Sequence, residues 1–287
     1  MVKLDVITPH TVADTTSGRV HRAGNVGGIA LENFVVAIDS GRAESGKSLR
    51  HQLETFFDLP VKYLFLTHAH ADHRDGLSAF KDLTLVTSQK TAKNMPKSVK
   101  LSHFTVEAFA EKFLISDNEL SIEFQHVGGH TVGSSIAYFP HEKVLFGGDL
   151  FFSGGANFDL PFLSFYQNKG RKTGNPEEYI RAFEKFMTMD IEVIVPGHGS
   201  IVFTPKEELQ TLLAFFKALR LFFRTAIEEG QELKNIELPN LAPIEQAFAR
   251  IEGQPTNKKH AEKRWLENYL NHLKSSFYNY YKGKINI

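Results

Sequence analysis

A chain of 287 residues, 42% hydrophobic and 23% charged, has the composition of a globular protein with a sizeable core, built as one large domain or as a core with an appendage. Lysine plus arginine and aspartate plus glutamate number 33 each, so no net field draws the chain to nucleic acid or to an anionic membrane. There is no cysteine, which excludes disulfides and thiolate metal sites and leaves any metal to imidazole and carboxylate.

In chain order, strands are predicted at 26–31 and 34–38, on either side of the turn-compatible pair Glu32-Asn33. Residues 48–57 have helical spacing and stop before Pro60, and 62–66 form a short strand. A strand at 83–87, a short helix at 88–94 and strands at 121–127, 135–139 and 144–146 follow. Residues 177–187 read as helix and 191–195 as a buried strand. Such interleaving predicts a layered α/β (α+β) core. Over 206–229, Leu209, Leu212, Leu213, Phe216, Leu219, Phe223 and Ile227 recur at helical spacing. Phe215 and Phe222 widen that stripe, so a further helix or a partner subunit must cover it. Leu266, Tyr269, Leu270, Leu273 and Phe277 repeat the pattern over 261–281, with breaks at 239–243 and 253–256. The expected organisation is a core over 1–203 and a helical region over 204–287 packed on it.

The chemistry is concentrated in Thr67-His68-Ala69-His70-Ala71-Asp72-His73, directly after the 62–66 strand. In an extended strand exit His68 and His70 project to one side, because the side-chain period is two. Asp72 and His73 follow the turn and can face a second position. Small Ala69 and Ala71 let the imidazoles converge without crowding. Three later segments each put one imidazole or carboxylate beside glycines at an expected strand end: Gly128-Gly129-His130-Thr131, Gly147-Gly148-Asp149 and Pro196-Gly197-His198-Gly199. Strand ends on one edge of a layered fold converge, which is where active sites of such folds commonly lie.

The order H-x-H-x-D-H, G-H-T, G-D, G-H-G resembles the metallo-β-lactamase superfamily, from about Asn25 to Gly199. That resemblance implies a four-layer αββα sandwich with metals at its open edge, and the C-terminal helical appendage is similar to those of many superfamily metallo-hydrolases. Carried over by position, His68, His70 and His130 would bind one ion, Asp72, His73 and His198 a second, and Asp149 would bridge them. Asp39 matches an early aspartate of the family that orients a metal ligand; read from the residues alone, it is equally a turn cap after a strand. Five imidazoles and two carboxylates suit two zinc ions, and also iron or manganese, better than calcium or magnesium.

The function implied is a dinuclear metallo-hydrolase that attacks an ester, lactone or thioester carbonyl of a small molecule with a hydroxide bridging the ions. Asp72 and Tyr166 are the catalytic candidates, Tyr166 as a donor to an oxyanion or leaving group. The alternatives are a mononuclear iron persulfide dioxygenase and a silent binding module that keeps the site. Within the family, Asp149 departs from the antibiotic-hydrolysing members. Phe152 stands where homoserine-lactone hydrolases carry tyrosine, and Ser153-Gly154-Gly155-Ala156-Asn157 lacks the G-C-G-R loop of glyoxalase II. Residues 151–172 are expected to form a loop beside the metals, with Phe151, Phe152, Phe158, Phe162, Phe165 and Tyr166 as an aromatic wall or as core, and Lys169, Arg171 and Lys172 as a cationic rim. Lys258, Lys259, Lys263 and Arg264 read as a solvated helix face rather than a nucleic-acid site. With no basic stretch leading into an apolar run over 1–10, and no span of membrane length, the expectation is a cytoplasmic protein without a membrane partner, and a homodimer through the C-terminal helices is possible on this composition.

Overall fold

Short β-branched runs between turn residues make strands of the first part of the chain: β1 (Asp5–Thr8), β2 (Thr11–Asp14), β3 (Val26–Ala30) and β4 (Val35–Ile38). Helix α1 (Ala43–Phe57), β5 (Val61–Phe65), the single turn α2 (Ala71–Arg74), β6 (Thr84–Ser88) and α3 (Gln89–Asn94) come next. They are followed by β7 (Thr105–Phe109), β8 (Lys112–Asp117), β9 (Leu120–His126), β10 (Ser135–Phe139), β11 (Val144–Ser153) and β12 (Phe158–Asp159). Helix α4 (Pro176–Phe186) precedes β13 (Val193–His198) and β14 (Val202–Phe203), and the chain ends in α5 (Lys206–Glu228), α6 (Ala242–Glu252) and α7 (Thr256–Ile285). The computed structural model describes residues 2–15, 23–153, 158–163, 173–252 and 256–285.

Contacts divide the chain into two units. The first, Met1–Val127, Gly133–Phe158 and Met189–Pro205, holds two sheets. One sheet runs β1-β2-β3-β4-β5-β6-β7, antiparallel up to β4 and parallel from β4 to β7. The other runs β14-β13-β11-β10-β9-β8, with β11 and β13 parallel. Inward residues of both sheets, among them Ile29, Val36, Phe65, Phe124, Phe139 and Val195, share one apolar core. The opposite face of the first sheet packs Val35, Ala37 and Leu64 against Leu49 and Leu53 of α1. Burying both faces explains why β3, β4 and β5 read as nearly continuous apolar runs.

The second unit, Gly128–Val132, Asp159–Thr188 and Lys206–Ile287, gathers α4 to α7. Here the wide aromatic stripe of α5 finds its cover in other helices. Phe216 lies 4.8 Å from Tyr179 of α4 and 5.7 Å from Phe277 of α7, ring centre to ring centre, and Phe223 lies 5.5 Å from Phe277. Phe215 is buried, whereas Phe222 is half-buried. Among the described residues, no helix is long and apolar enough to cross a membrane.

Several elements differ from expectation, each for a physical reason. Helix α1 begins at Ala43, five residues before the predicted start, because its first turns are polar or small and carry no apolar period. A Cβ at Gly46 would lie 2.4 Å from the Gly76 carbonyl oxygen, so that stretch of α1 is held by close backbone contact. Helix α6 starts at Ala242, inside the end of the 239–243 break, since Pro243 sits in its first turn, where proline needs no amide donor. Strand β11 does not stop at Phe146. It bulges at Gly148 (φ +52°) and continues to Ser153, so Phe151 and Phe152 belong to a strand rather than to the expected 151–172 loop.

Candidate metal centre

Backbone hydrogen bonds pin the exit from β5. The Thr67 carbonyl accepts from the Ser135 amide at 2.9 Å, and the Leu66 carbonyl accepts from the Thr87 hydroxyl at 3.0 Å. Beyond it, the His73 carbonyl takes three donors, the amides of Ser40 and Gly41 and the Ser40 hydroxyl. Arg74 Nε donates to the Ala69 carbonyl at 2.8 Å. The single turn α2 therefore sets Asp72 and His73 within a braced segment, with the His73 ring centre 4.4 Å from that of His68.

The first unit brings together two sets of side chains. In one, ligand atoms of His68, His70 and Asp149 lie within 4.8 Å of one another; in the other, those of Asp72, His73 and His198 do the same. Asp149 faces both. Its Oδ2 is 3.6 Å from His68 Nε2, while its Oδ1 is 2.9 Å from His73 Nε2 and 3.5 Å from His198 Nε2. The bulge at Gly148 aims this carboxylate out of the strand, and the β13 end carries His198 alongside. Asp72 Oδ2 stands 3.2 Å from His198 Nε2. His68, His73, His198 and Asp149 are buried, Asp72 is half-buried and His70 is exposed. His130 belongs to the second unit, buried, with its Nδ1 donating to the Phe162 carbonyl at 2.9 Å, so a metal ion would meet it through Nε2.

Asp39 is more than a cap at the end of β4. Its Oδ2 accepts from His73 Nδ1 at 2.7 Å and from the Thr67 hydroxyl at 2.8 Å, and its Oδ1 accepts from the Thr67 amide at 2.8 Å. Neither Thr67 nor Asn25 was given a role from sequence, since a threonine before a histidine and an asparagine before a strand are unremarkable. Asn25 closes the Pro196-Gly197-His198-Gly199 turn: its amide donates to the Gly197 carbonyl at 2.7 Å, and its Nδ2 to the Pro196 and Gly199 carbonyls, both at 2.8 Å. Phe152 stacks on His198 at 4.9 Å and 15°. A Cβ at Gly24 would strike the His73 ring at 2.4 Å. Phe162 is half-buried in the second unit, and Tyr166, Phe165, Lys169, Arg171 and Lys172 lie outside the described residues, as does the side chain of Phe158.

The chain that carries these two histidine-carboxylate sets matches a known family model. The model for the metallo-beta-lactamase superfamily matches residues 20–198, more than half of the chain. The chain belongs to that superfamily. Its sequence is 28% identical over 156 residues to metallo-beta-lactamase IND-1 of Chryseobacterium indologenes, covering 53% of this chain and 61% of that protein. It is 35% identical over 98 residues to a hydroxyacylglutathione hydrolase of Bartonella henselae, covering 33% of this chain and 36% of that one. The chain thus spans less than two thirds of either relative. A metallo-beta-lactamase from Pontibacter korlensis shares the fold, with a TM-score of 0.57 at 21% identity over 76% of this chain and 99% of that one. This is the mixed α/β sandwich expected from the motifs, with helices at its C-terminal end.

The donor set fits the metal ions on which superfamily members depend. With its Nδ1 hydrogen committed to Asp39, His73 presents a lone pair at Nε2 to a carboxylate oxygen 2.9 Å away. Two acceptors at that distance need a positive centre, either a metal ion or a proton. Without metal the proton serves: burial disfavours it, yet Asp149 and Asp39 together hold the His73 imidazole well above its ordinary pKa. Burial likewise opposes protonation of His198, but Asp149 and Asp72 raise it to about 9. Burial would lift the Asp72 carboxyl, and the hydrogen bond to His198 with the charge of His73 brings it to about 2 instead. Asp72 is therefore an anion at neutral pH, suited to holding a cation rather than to giving up a proton.

Asn25→Ala is expected to loosen the His198 turn. It removes a side-chain donor from two carbonyls of that turn, at a cost of about 1–3 kcal/mol. Thermal unfolding should show a lower midpoint with and without metal, and metal competition should show a weaker ion at the Asp72, His73, His198 set. An unchanged midpoint would mean that water replaces the amide at no cost.

Proposed function

We propose that this chain is a hydrolase that takes two metal ions and cleaves an ester, lactone or thioester of a small molecule. In this reading His68, His70 and His130 would hold one ion, Asp72, His73 and His198 would hold the other, and Asp149 would serve both. Zinc is the ion such imidazole-rich sites suit, with iron and manganese next. Metal ions held there would supply Lewis-acid activation of water at neutral pH and polarisation of the carbonyl.

The chain's own part is to position and to shield. Asp39 orients His73, Phe152 covers one face of His198, and Asn25 fixes the turn that carries it. Asp72 is the half-buried carboxylate of its set, so it lies where a substrate can approach. Tyr166 remains the proposed donor to the leaving group. A relative named for hydroxyacylglutathione hydrolysis supports a thioester among the candidate substrates.

The observation that carries this reading is the division of Asp149, with one oxygen toward His68 and the other toward His73 and His198. Elemental analysis followed by a screen of lactones, thioesters and simple esters tests it. Two ions per chain are expected, with turnover that a chelator abolishes and zinc restores. A single ion, with no turnover after zinc or manganese loading, overturns the reading; oxygen uptake with a persulfide by the iron-loaded protein would replace it with the oxidoreductase alternative.

A further inference from the structure

We infer that Thr67 is a positioning residue that ties the two ligand sets to one carboxylate, Asp39. This rests on the reading that His68 and His73 serve different ions. Thr67 carries a single hydroxyl hydrogen, and Asp39 Oδ2, 2.8 Å away, can only accept it. The Thr67 oxygen is then left to accept, and the group it accepts from is His68 Nδ1 at 3.0 Å. His68 is thereby held with its hydrogen on Nδ1 and its lone pair on Nε2, the nitrogen that faces Asp149 Oδ2. The same Asp39 oxygen takes the Nδ1 hydrogen of His73, whose Nε2 faces Asp149 Oδ1. Asp39 and Asp149 thus flank the two imidazoles, one fixing both tautomers and the other facing both lone pairs.

The arrangement is deeply buried. Asp39 and Thr67 are each 2% exposed, His68 1% and His73 0%. The Thr67 amide also donates to Asp39 Oδ1, so backbone and hydroxyl grip both oxygens of the carboxylate. A Cβ at Gly148 would come within 2.9 Å of Thr67 Oγ1, so the residue beside Asp149 is bare where the hydroxyl sits. Partners that set the tautomer and aim of a ligating histidine commonly change metal affinity ~10–100-fold when removed. Through Thr67 the effect reaches an ion that Asp39 does not itself face.

Thr67→Val keeps the branched shape and removes the hydroxyl; Thr67→Ser keeps the hydroxyl and removes the methyl. Stepwise zinc affinities of the metal-free chain, read against a competing chelator, should fall ~10–100-fold at the His68 set in Thr67→Val and recover in Thr67→Ser. In the zinc-loaded protein, nitrogen-detected NMR should show a slowly exchanging hydrogen on His68 Nδ1 that is lost in Thr67→Val and kept in Thr67→Ser, while the His73 Nδ1 hydrogen persists in both. Thr67→Ala supplies the same comparison should the valine variant not fold. Two ions in the unaltered protein, with unchanged affinities and an unchanged His68 signal in the variants lacking the hydroxyl, overturn the assignment of Thr67 and leave the dinuclear reading standing. Fewer than two ions in the unaltered protein overturn that reading and this inference with it.

Discussion

Asp149→Ala is expected to hold less than one tightly bound ion per chain, against the two expected of the unaltered protein. Each oxygen of Asp149 faces a different histidine set, so a single truncation removes an anion from both. Breaking a buried charge pairing costs about 3–5 kcal/mol. At roughly 1.4 kcal/mol per decade, that is two to four orders of magnitude in apparent affinity. Asp72→Ala is the informative contrast, because Asp72 belongs to the His73 and His198 set alone and should cost only that ion. Competition titration separates the two patterns. The metal-free variant provides a second measurement: the charge that raises His198 to about 9 is largely that of Asp149, so its imidazole should titrate lower once Asp149 is gone. Two ions held by Asp149→Ala at undiminished affinity would mean that the aspartate does not bridge.

Metal uptake should depend steeply on pH, and the sign follows from the imidazoles. A ligating histidine must be neutral, whereas His198 in the metal-free chain stays protonated up to about 9 and His73 also titrates well above its ordinary range. Protons therefore compete with metal throughout the neutral range. Apparent affinity at the Asp72, His73, His198 set should rise with pH by up to about tenfold per unit for each proton displaced, and the His198 contribution should flatten above about 9. Loading near pH 7 should release about two protons per chain, measurable in weakly buffered solution. Stability runs the other way in the metal-free protein. A folded pKa of about 9 against an ordinary 6.5 means that protonated His198 stabilises the fold fully below 6.5, and that this contribution is lost as pH rises through 9. The metal-free melting midpoint should fall across that window, and the metal-loaded one should not. Affinity that is level from pH 6 to 9 with no proton release would show that both imidazoles are already neutral.

Much of the candidate site was legible because its signal is local. His68, His70, Asp72 and His73 fall within six residues, and a two-residue strand period already puts His68 and His70 on one side. His198 was also legible, as the terminal residue of a strand whose apolar run is unmistakable. Asp149 was found for its glycines, but its setting was misread. Gly147 and Gly148 look like the end of a strand, and only the parallel pairing of β11 with β13 shows the chain continuing through a bulge. Strands β1, β2, β7 and β8 left no clear mark, because they are four to six residues long and β7 and β8 carry polar and exposed positions that resemble loops.

Residue types and their order along the chain were enough to determine the superfamily and the alternation of strands and helices and to single out the candidate imidazole and carboxylate donors, since each is written in contiguous stretches. What only the tertiary structure decided is how separated residues meet. The two-way facing of Asp149, the grip of Asp39 on Thr67 and His73, and the closure of the His198 turn by Asn25 join residues 28 to 174 positions apart. A hydrogen bond of 3 Å depends on where two strands lie side by side, and no local period or propensity carries that distance.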